Sequence, residues 1–325
     1  MSDLKIVIHV GSSKTGTTSI QGCLNKNPDM LAEHGVRFIR TGRKHIAHTP
    51  IHRALRGETA VGLWQDIETE LKDNGAKVGI LSSEYFFYPR SAEGFDAYMP
   101  PHLKENTKVV AYIRRQDKYL ESAYKQHVKV GKVRPDPKAY YDQRKHQFQY
   151  IDALNSHAQA FGTENVIVRP YERPRLKGGD VVQDFLQAIG LPEDERFNTQ
   201  AAGSNKSLSR EASEAVGMIA RNTSMNARQI MREMQRSGDP ALLRSDDVFD
   251  WAERREMMAY YAPTNAEIHA TYGVDGEVLF DLSDLNHPPS PMDTGDKVQR
   301  ITHAHEAALK AMERIQTSRR FQLYK

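Results

Sequence analysis

Residues 9–22 read HVGSSKTGTTSIQG, and they continue an apolar run, LKIVIHV at residues 4–10. A short run of Ile and Val with little alternation is how a strand buried on both faces of a parallel sheet reads. Gly11 and Gly16 then make a turn, and Thr17 and Thr18 open a helix. A strand, a glycine turn and a helix in that order turn several backbone N–H groups toward one point, where the helix macrodipole also favours negative charge. Residues 12–18 are therefore expected to cradle an anion, with the Thr17 and Thr18 hydroxyls as further donors. A turn that holds no ligand is the competing account; Gly11, Lys14, Gly16, Thr17 and Thr18 standing so close together favour the cradle.

Outward from this stretch the same pattern repeats. Apolar runs recur at residues 36–39, 78–81, 109–113 and 166–168, separated by helical stretches. Between residues 117 and 129, Tyr119, Leu120, Ala123, Tyr124 and Val128 recur at helical spacing and give one inward face. Alternating strands and helices predict a doubly wound α/β fold like that of P-loop NTPases, with a mainly parallel central sheet of about five strands flanked by helices. Beyond residue 190 the strand signal fades into helices, one beginning in SLSREASEAVGMIAR. A proline-rich linker, LNHPPSPMDTGD, precedes a last helix at 297–314. The expected organisation is a binding core over residues 1–192 and a helical part over 193–325, packed on the core as a single domain.

Length and composition fit this. The chain has 325 residues, 39% apolar and 27% charged, enough to build a sizeable core. A net charge of +3 without a long basic block is not the footprint of a nucleic-acid binder. Cys23 is the one cysteine, which excludes an intramolecular disulfide and a cysteine-built zinc site. No apolar segment approaches the roughly 20 residues of a membrane span, and the N-terminus lacks a signal-peptide core, so the expected location is cytoplasmic. The sequence is silent on oligomeric state.

Gly11 and Gly16 have the spacing of a triphosphate-binding loop, but position 17 is threonine where such a loop has lysine. Lys14 stands inside the loop instead, which suits a single 5′-phosphate bearing a transferable group better than a triphosphate. The strand ends ILSSE and VAYIRR also lack the aspartate that would hold Mg²⁺. A small-molecule kinase using ATP and Mg²⁺ is the alternative reading. A fold that binds nucleotide without turnover is a third.

A second signature lies in VVAYIRRQDKYLESAYKQ, where Arg114 ends a buried strand and Ser122 follows eight residues later. Together the two segments resemble the sulfotransferases that use 3′-phosphoadenosine 5′-phosphosulfate (PAPS), bacterial members more than animal cytosolic ones. Lys14-Thr15-Gly16-Thr17-Thr18 matches the family's 5′-phosphosulfate loop, with Ser13 beside it, and Arg114 and Ser122 match its 3′-phosphate motif. Tyr171, in the strand-to-helix segment VIVRPYERPRLKGGDVVQDFLQAIGLP, matches a tyrosine that lies near the adenine. The resemblance spans residues 4–192. It departs from the family at Arg115-Gln116, where an Asn-Pro is familiar, and in lacking an R-K-G element, for which SNKSLS at 204–209 is a candidate substitute.

The resemblance implies sulfuryl transfer to the hydroxyl of a carbohydrate, lipid or small alcohol, leaving adenosine 3′,5′-bisphosphate (PAP), with Lys14 stabilising the leaving oxygen and no metal required. The acceptor needs a general base. Glu84, just after a buried strand, is the first candidate and looks like the glutamate of glycan sulfotransferases; His48 is the second, with His45 and His52 nearby. His48 and His52 are four apart, but no H-E-x-x-H pattern supports zinc. The acceptor pocket is expected from residues 41–62, 85–98 and the C-terminal helices. Arg40, Arg43, Lys44 and Arg53 would suit an acidic glycan or a lipid head group, or simply form a solvated basic face.

Overall fold

The computed structural model describes residues 4–12, 14–57, 60–133, 136–197, 207–244, 248–288 and 294–323. Five strands, β1 (Lys5–Gly11), β2 (Val36–Phe38), β3 (Val78–Ser82), β4 (Thr107–Ile113) and β5 (Val166–Pro170), form one sheet in the order β2-β3-β1-β4-β5. Every neighbouring pair is parallel, as the unalternating apolar runs predict. The class is the doubly wound α/β fold expected from the sequence.

The chain divides into two compact units, each discontinuous in sequence: residues 1–115, 149–203 and 261–281 form the first, and 116–148, 204–260 and 282–325 the second. The first holds the whole sheet. One face of it is covered by helices Thr17–Lys26 and Val181–Ala188, whose Ile20, Leu24, Val182 and Phe185 meet Val7, Ile80, Val110 and Tyr112. Helix Ile151–Phe161 packs on β4 and β5 and on helix Pro89–Tyr98, with the Phe95 and Phe161 rings 6.1 Å apart. Arg175 donates to the carbonyls of Val278 (3.0 Å) and Leu279 (2.7 Å), and Glu172 accepts from the Asp281 N–H (3.2 Å), so residues 261–281 belong to this unit by specific bonds.

The strand order places the ligand crevice. The chain leaves β1 toward β2 on one side but leaves β3 toward β4 on the other, so the carboxyl ends of β1 and β3 flank a switch point of the kind where open α/β sheets bind ligands. His9 pairs in register with Ser82, which brings the loop after β1 beside the segment that starts at Ser83.

The second unit is helical. Helices Arg210–Asn222, Ala227–Arg236 and Thr294–Leu323 share a core of Ala212, Val216, Ile219, Ile230, Ala304 and Ala308. The first starts at Ser209, whose hydroxyl accepts from the Ala212 N–H at 3.1 Å. The last is longer than the 297–314 expected, running Thr294–Leu323. Helix Gln116–Lys129 crosses Arg210–Asn222 so closely that a Cβ on Gly217 would lie 2.1 Å from the Val128 carbonyl. Its Asp117, Glu121 and Lys125 form a buried charged row; Arg254 bonds both acids, and Lys125 meets Glu121 at 3.0 Å. With opposite charges adjacent, each is compensated where it is buried.

Candidate functional site

The loop between β1 and helix Thr17–Lys26 is tightly wound. Gly16, at φ 79°, is the helix N-cap, and no side chain caps the helix from that position. Its left-handed backbone suits glycine, and a Cβ there would meet Val181 Cγ1 at 2.6 Å and the Tyr171 ring at 3.3 Å. Gly11 is enclosed as closely: a Cβ would lie 2.6 Å from the hydroxyls of both Thr15 and Thr17. Thr15 is fully buried and donates to the Ser12 carbonyl at 2.6 Å, which pins the turn from inside.

Lys14 sits at φ 70°, a left-handed conformation that costs a side-chain-bearing residue about 1–2 kcal/mol. It is exposed, and its ammonium has no hydrogen bond or ion pair among the described residues. Strain at a loop residue carrying a free charge is an arrangement found at ligand sites. The Arg114 guanidinium lies 3.4 Å from the Lys14 carbonyl, so the arginine that follows β4 reaches the loop. The Arg114 carbonyl is in turn fixed by the Tyr150 hydroxyl at 2.7 Å.

Beneath the loop lies a polar set that the sequence reading did not single out. His9 Nδ1 is 2.7 Å from Ser82 Oγ, and Gln21 Nε2 donates to the same oxygen at 3.0 Å. The His9 ring is packed between Tyr112 and Phe185, 5.8 and 5.0 Å away, and burial pushes its pKa down to about 3. Its signal in the sequence is a lone histidine inside an Ile/Val run. Among the described residues, His9 Nε2, Ser12 Oγ and Thr17 Oγ1 are buried without a protein partner. An unpaired buried polar atom costs about 1–3 kcal/mol, so three around one loop mark a place made for polar ligand atoms.

Glu84 opens a short 3₁₀ turn, Glu84–Phe87, capped by the Ser83 hydroxyl, which accepts from the Tyr85 N–H at 3.2 Å. The Ser83 N–H donates to the His9 carbonyl at 3.3 Å, tying this turn to the end of β1, and the Glu84 side chain is exposed. His48 is different. It is fully buried, its Nε2 bonds the Ile39 carbonyl at 2.8 Å, its Nδ1 accepts from the Ser82 N–H at 3.0 Å, and burial lowers its pKa to about 4. Both nitrogens are committed to the ends of β2 and β3, so none is free to take an acceptor's proton; this corrects its expected candidacy as base.

The structure thus brings Lys14, Thr15, Gly16, Thr17, Tyr171 and Arg114 to one loop, with Thr18 exposed on the first helical turn. Ser122 is half-buried on helix Gln116–Lys129 in the second unit. Ser13 and residues 204–206 lie outside the described residues. Among the described residues no group of three or more His, Cys, Asp or Glu could hold a metal ion, and no helix is long and apolar enough to cross a membrane. A cavity of about 470 Å³ lies elsewhere, between residues of β5 and the 271–275 turn, and none of the residues just named lines it.

No protein-family model matches the sequence. A stretch of 105 residues is 41% identical to an uncharacterized protein of Archaeoglobus fulgidus; it covers 32% of this chain and 27% of that protein, so the match spans about a quarter of the relative's length. Among solved structures, a sulfotransferase from Alicyclobacillus acidocaldarius is similar over 86% of this chain and 98% of its own, with 18% identity and a TM-score of 0.47. The sulfotransferase domain from the curacin biosynthetic pathway is similar over 80% of this chain and 98% of its own, with 12% identity and a TM-score of 0.36.

Proposed function

We propose that the chain is a sulfotransferase that moves a sulfuryl group from PAPS to the hydroxyl of a carbohydrate, lipid or small alcohol. The observation that carries the reading is Lys14 held left-handed and exposed inside a glycine loop whose floor has unpaired polar atoms, with the Arg114 guanidinium against its carbonyl. The fit is in the donor set: loop N–H groups at a helix N-terminus and the Thr17 and Thr18 hydroxyls for the 5′-phosphate, Arg114 for the 3′-phosphate, and Tyr171 against Gly16 for the adenine.

The donor supplies an activated S–O bond. Lys14 supplies positive charge to the bridging oxygen that becomes part of the 5′-phosphate of PAP as that bond breaks. Glu84, across the β1–β3 crevice, accepts the proton of the acceptor hydroxyl while the acceptor oxygen bonds to sulfur. His9, neutral and hydrogen-bonded to Ser82, keeps the end of β1 and the end of β3 in register, so that loop and base stay opposed. Such positioning is a main part of catalysis where the protein makes no covalent bond.

The test is binding followed by turnover. At a hundredfold excess over its dissociation constant PAP stabilises the protein by about 2.7 kcal/mol, and the melting temperature rises without Mg²⁺. Lys14→Ala lowers transfer of labelled sulfate about 10²–10³-fold. Glu84→Gln lowers turnover about 10²–10⁴-fold and leaves the PAP shift intact. No shift with millimolar PAP, or a larger one with ATP and Mg²⁺, sinks the reading.

A further inference from the structure

We infer that the surface following Glu84 is an acceptor subsite for an anionic sugar, a carbohydrate bearing carboxylate or sulfate groups, built from Tyr85, Tyr88, Arg53, Arg56 and Arg90 around His52. The inference rests on the sulfuryl-transfer reading, since it names the acceptor that would meet Glu84.

Its scaffold is an ordered chain of hydrogen bonds in the first unit. The Ser91 hydroxyl donates to the Tyr85 carbonyl at 2.9 Å and is 2.6 Å from His52 Nδ1. With that hydroxyl proton committed, Nδ1 carries the hydrogen and His52 Nε2 is left to accept from Arg56, 2.9 Å away. The imidazole is therefore a neutral, fixed post. Arg56 is bonded to the ring, and Arg53 and Arg90 adjoin His52 and its partner Ser91 in the chain; burial and then Arg56, Arg53 and Arg90 all push the His52 pKa down.

Those arginines are exposed, and none is ion-paired with a carboxylate among the described residues. Three uncompensated positive charges around one neutral side chain repel one another, and a bound anion relieves that repulsion. Guanidinium forks match the planar oxygens of carboxylate and of sulfate in paired bonds.

The aromatic half points to a ring. Tyr85 is 39% and Tyr88 58% exposed, unusual for large aromatics in a chain whose other rings are mostly buried. Their rings lie 6.2 Å apart and 5.4 and 6.2 Å from His52. Tyrosine pairs an apolar face with a wet hydroxyl edge, which suits the mixed C–H and O–H surface of a sugar ring. Tyr85 is the next residue after Glu84, so a sugar seated here has its neighbouring hydroxyls at the proposed base.

The test titrates the full-length protein with tetrasaccharides of hyaluronan (carboxylate), heparin (carboxylate and sulfate) and chitin (neutral), and with phosphatidylglycerol vesicles. The acidic tetrasaccharides are expected to bind at least tenfold more tightly than the neutral one. Combined Arg53→Gln, Arg56→Gln and Arg90→Gln, or Tyr85→Ala with Tyr88→Ala, weakens that binding at least tenfold; Lys138→Gln with Lys310→Gln does not. Each variant keeps the PAP-induced melting shift, which shows that it is folded. Equal binding of the neutral sugar, unchanged affinity in the arginine variant, or binding of vesicles but not sugars overturns the inference. Arginine-dependent sugar binding without any PAP shift in the parent protein overturns the sulfuryl-transfer reading and leaves the anionic-sugar site standing.

Discussion

Lys14 combines two properties that a pair of substitutions can separate: a charge that the proposed chemistry needs and a backbone angle that the fold would do better without. At φ 70° a residue with a Cβ bears about 1–2 kcal/mol of strain, which Lys14→Ala retains and Lys14→Gly removes. Glycine in turn loosens the unfolded chain by about 0.4–1 kcal/mol. The difference leaves Lys14→Gly more stable than Lys14→Ala by about 0.5–1 kcal/mol, or about 1–4 °C in melting temperature at a few degrees per kcal/mol. Both variants lose the ammonium, so both lose about 10²–10³-fold in sulfate transfer. Differential scanning fluorimetry without ligand gives the first quantity and transfer of labelled sulfate gives the second. If Lys14→Gly melts below Lys14→Ala, the strained loop is wrong; if either retains parental turnover, the role given to the charge is wrong.

Two further outcomes concern stability. Burial holds the pKa of His9 at about 3 and those of His48 and His157 at about 4, against 6.5 in the unfolded chain. Between those values the unfolded state binds protons that the folded state refuses, so stability is lost as pH falls below about 6.5, by about 2 kcal/mol per histidine at pH 5; a melting temperature that stays level from pH 7 to pH 5 contradicts this. Asp184 is fully buried, accepts from the Tyr112 hydroxyl at 2.5 Å and is held by the Arg169 guanidinium. Asp184→Asn, which takes the charge of a fully buried carboxylate away from a half-buried arginine, costs more in urea unfolding than Tyr112→Phe, which costs about 1 kcal/mol; equal losses would refute the ion pair's leading part.

Much of the sheet was legible because parallel strands advertise themselves. The runs at 78–81 and 109–113 lie within β3 (Val78–Ser82) and β4 (Thr107–Ile113). Their order, β2-β3-β1-β4-β5, is a tertiary property that no run of side chains encodes locally. The loop around Lys14 was legible from glycine spacing, while the orphaned atoms beneath it were not, since His9, Ser82 and Gln21 meet from positions 9, 82 and 21. His48 shows the reverse failure: a histidine beside basic residues reads as surface chemistry, but the ends of β2 and β3 need a buried donor and acceptor, and its ring supplies both. Ser91, which links His52 to Tyr85, carries no local signal at all.

The first unit closes only when residues 261–281 arrive. Arg175 and Glu172 take their partners from the backbone of 278–281, and Arg115 donates to the Asp281 carbonyl at 2.7 Å. On the ribosome, then, the strands emerge long before the segment that bonds Arg115 and the turn after β5, and at ordinary rates of synthesis the nascent unit waits several seconds for it. During that interval Arg115, Glu172 and Arg175 lack the partners they hold in the folded unit. Because residues 204–260 of the second unit are made before residues 261–281 of the first, the first unit cannot finish folding until much of the second has been synthesised.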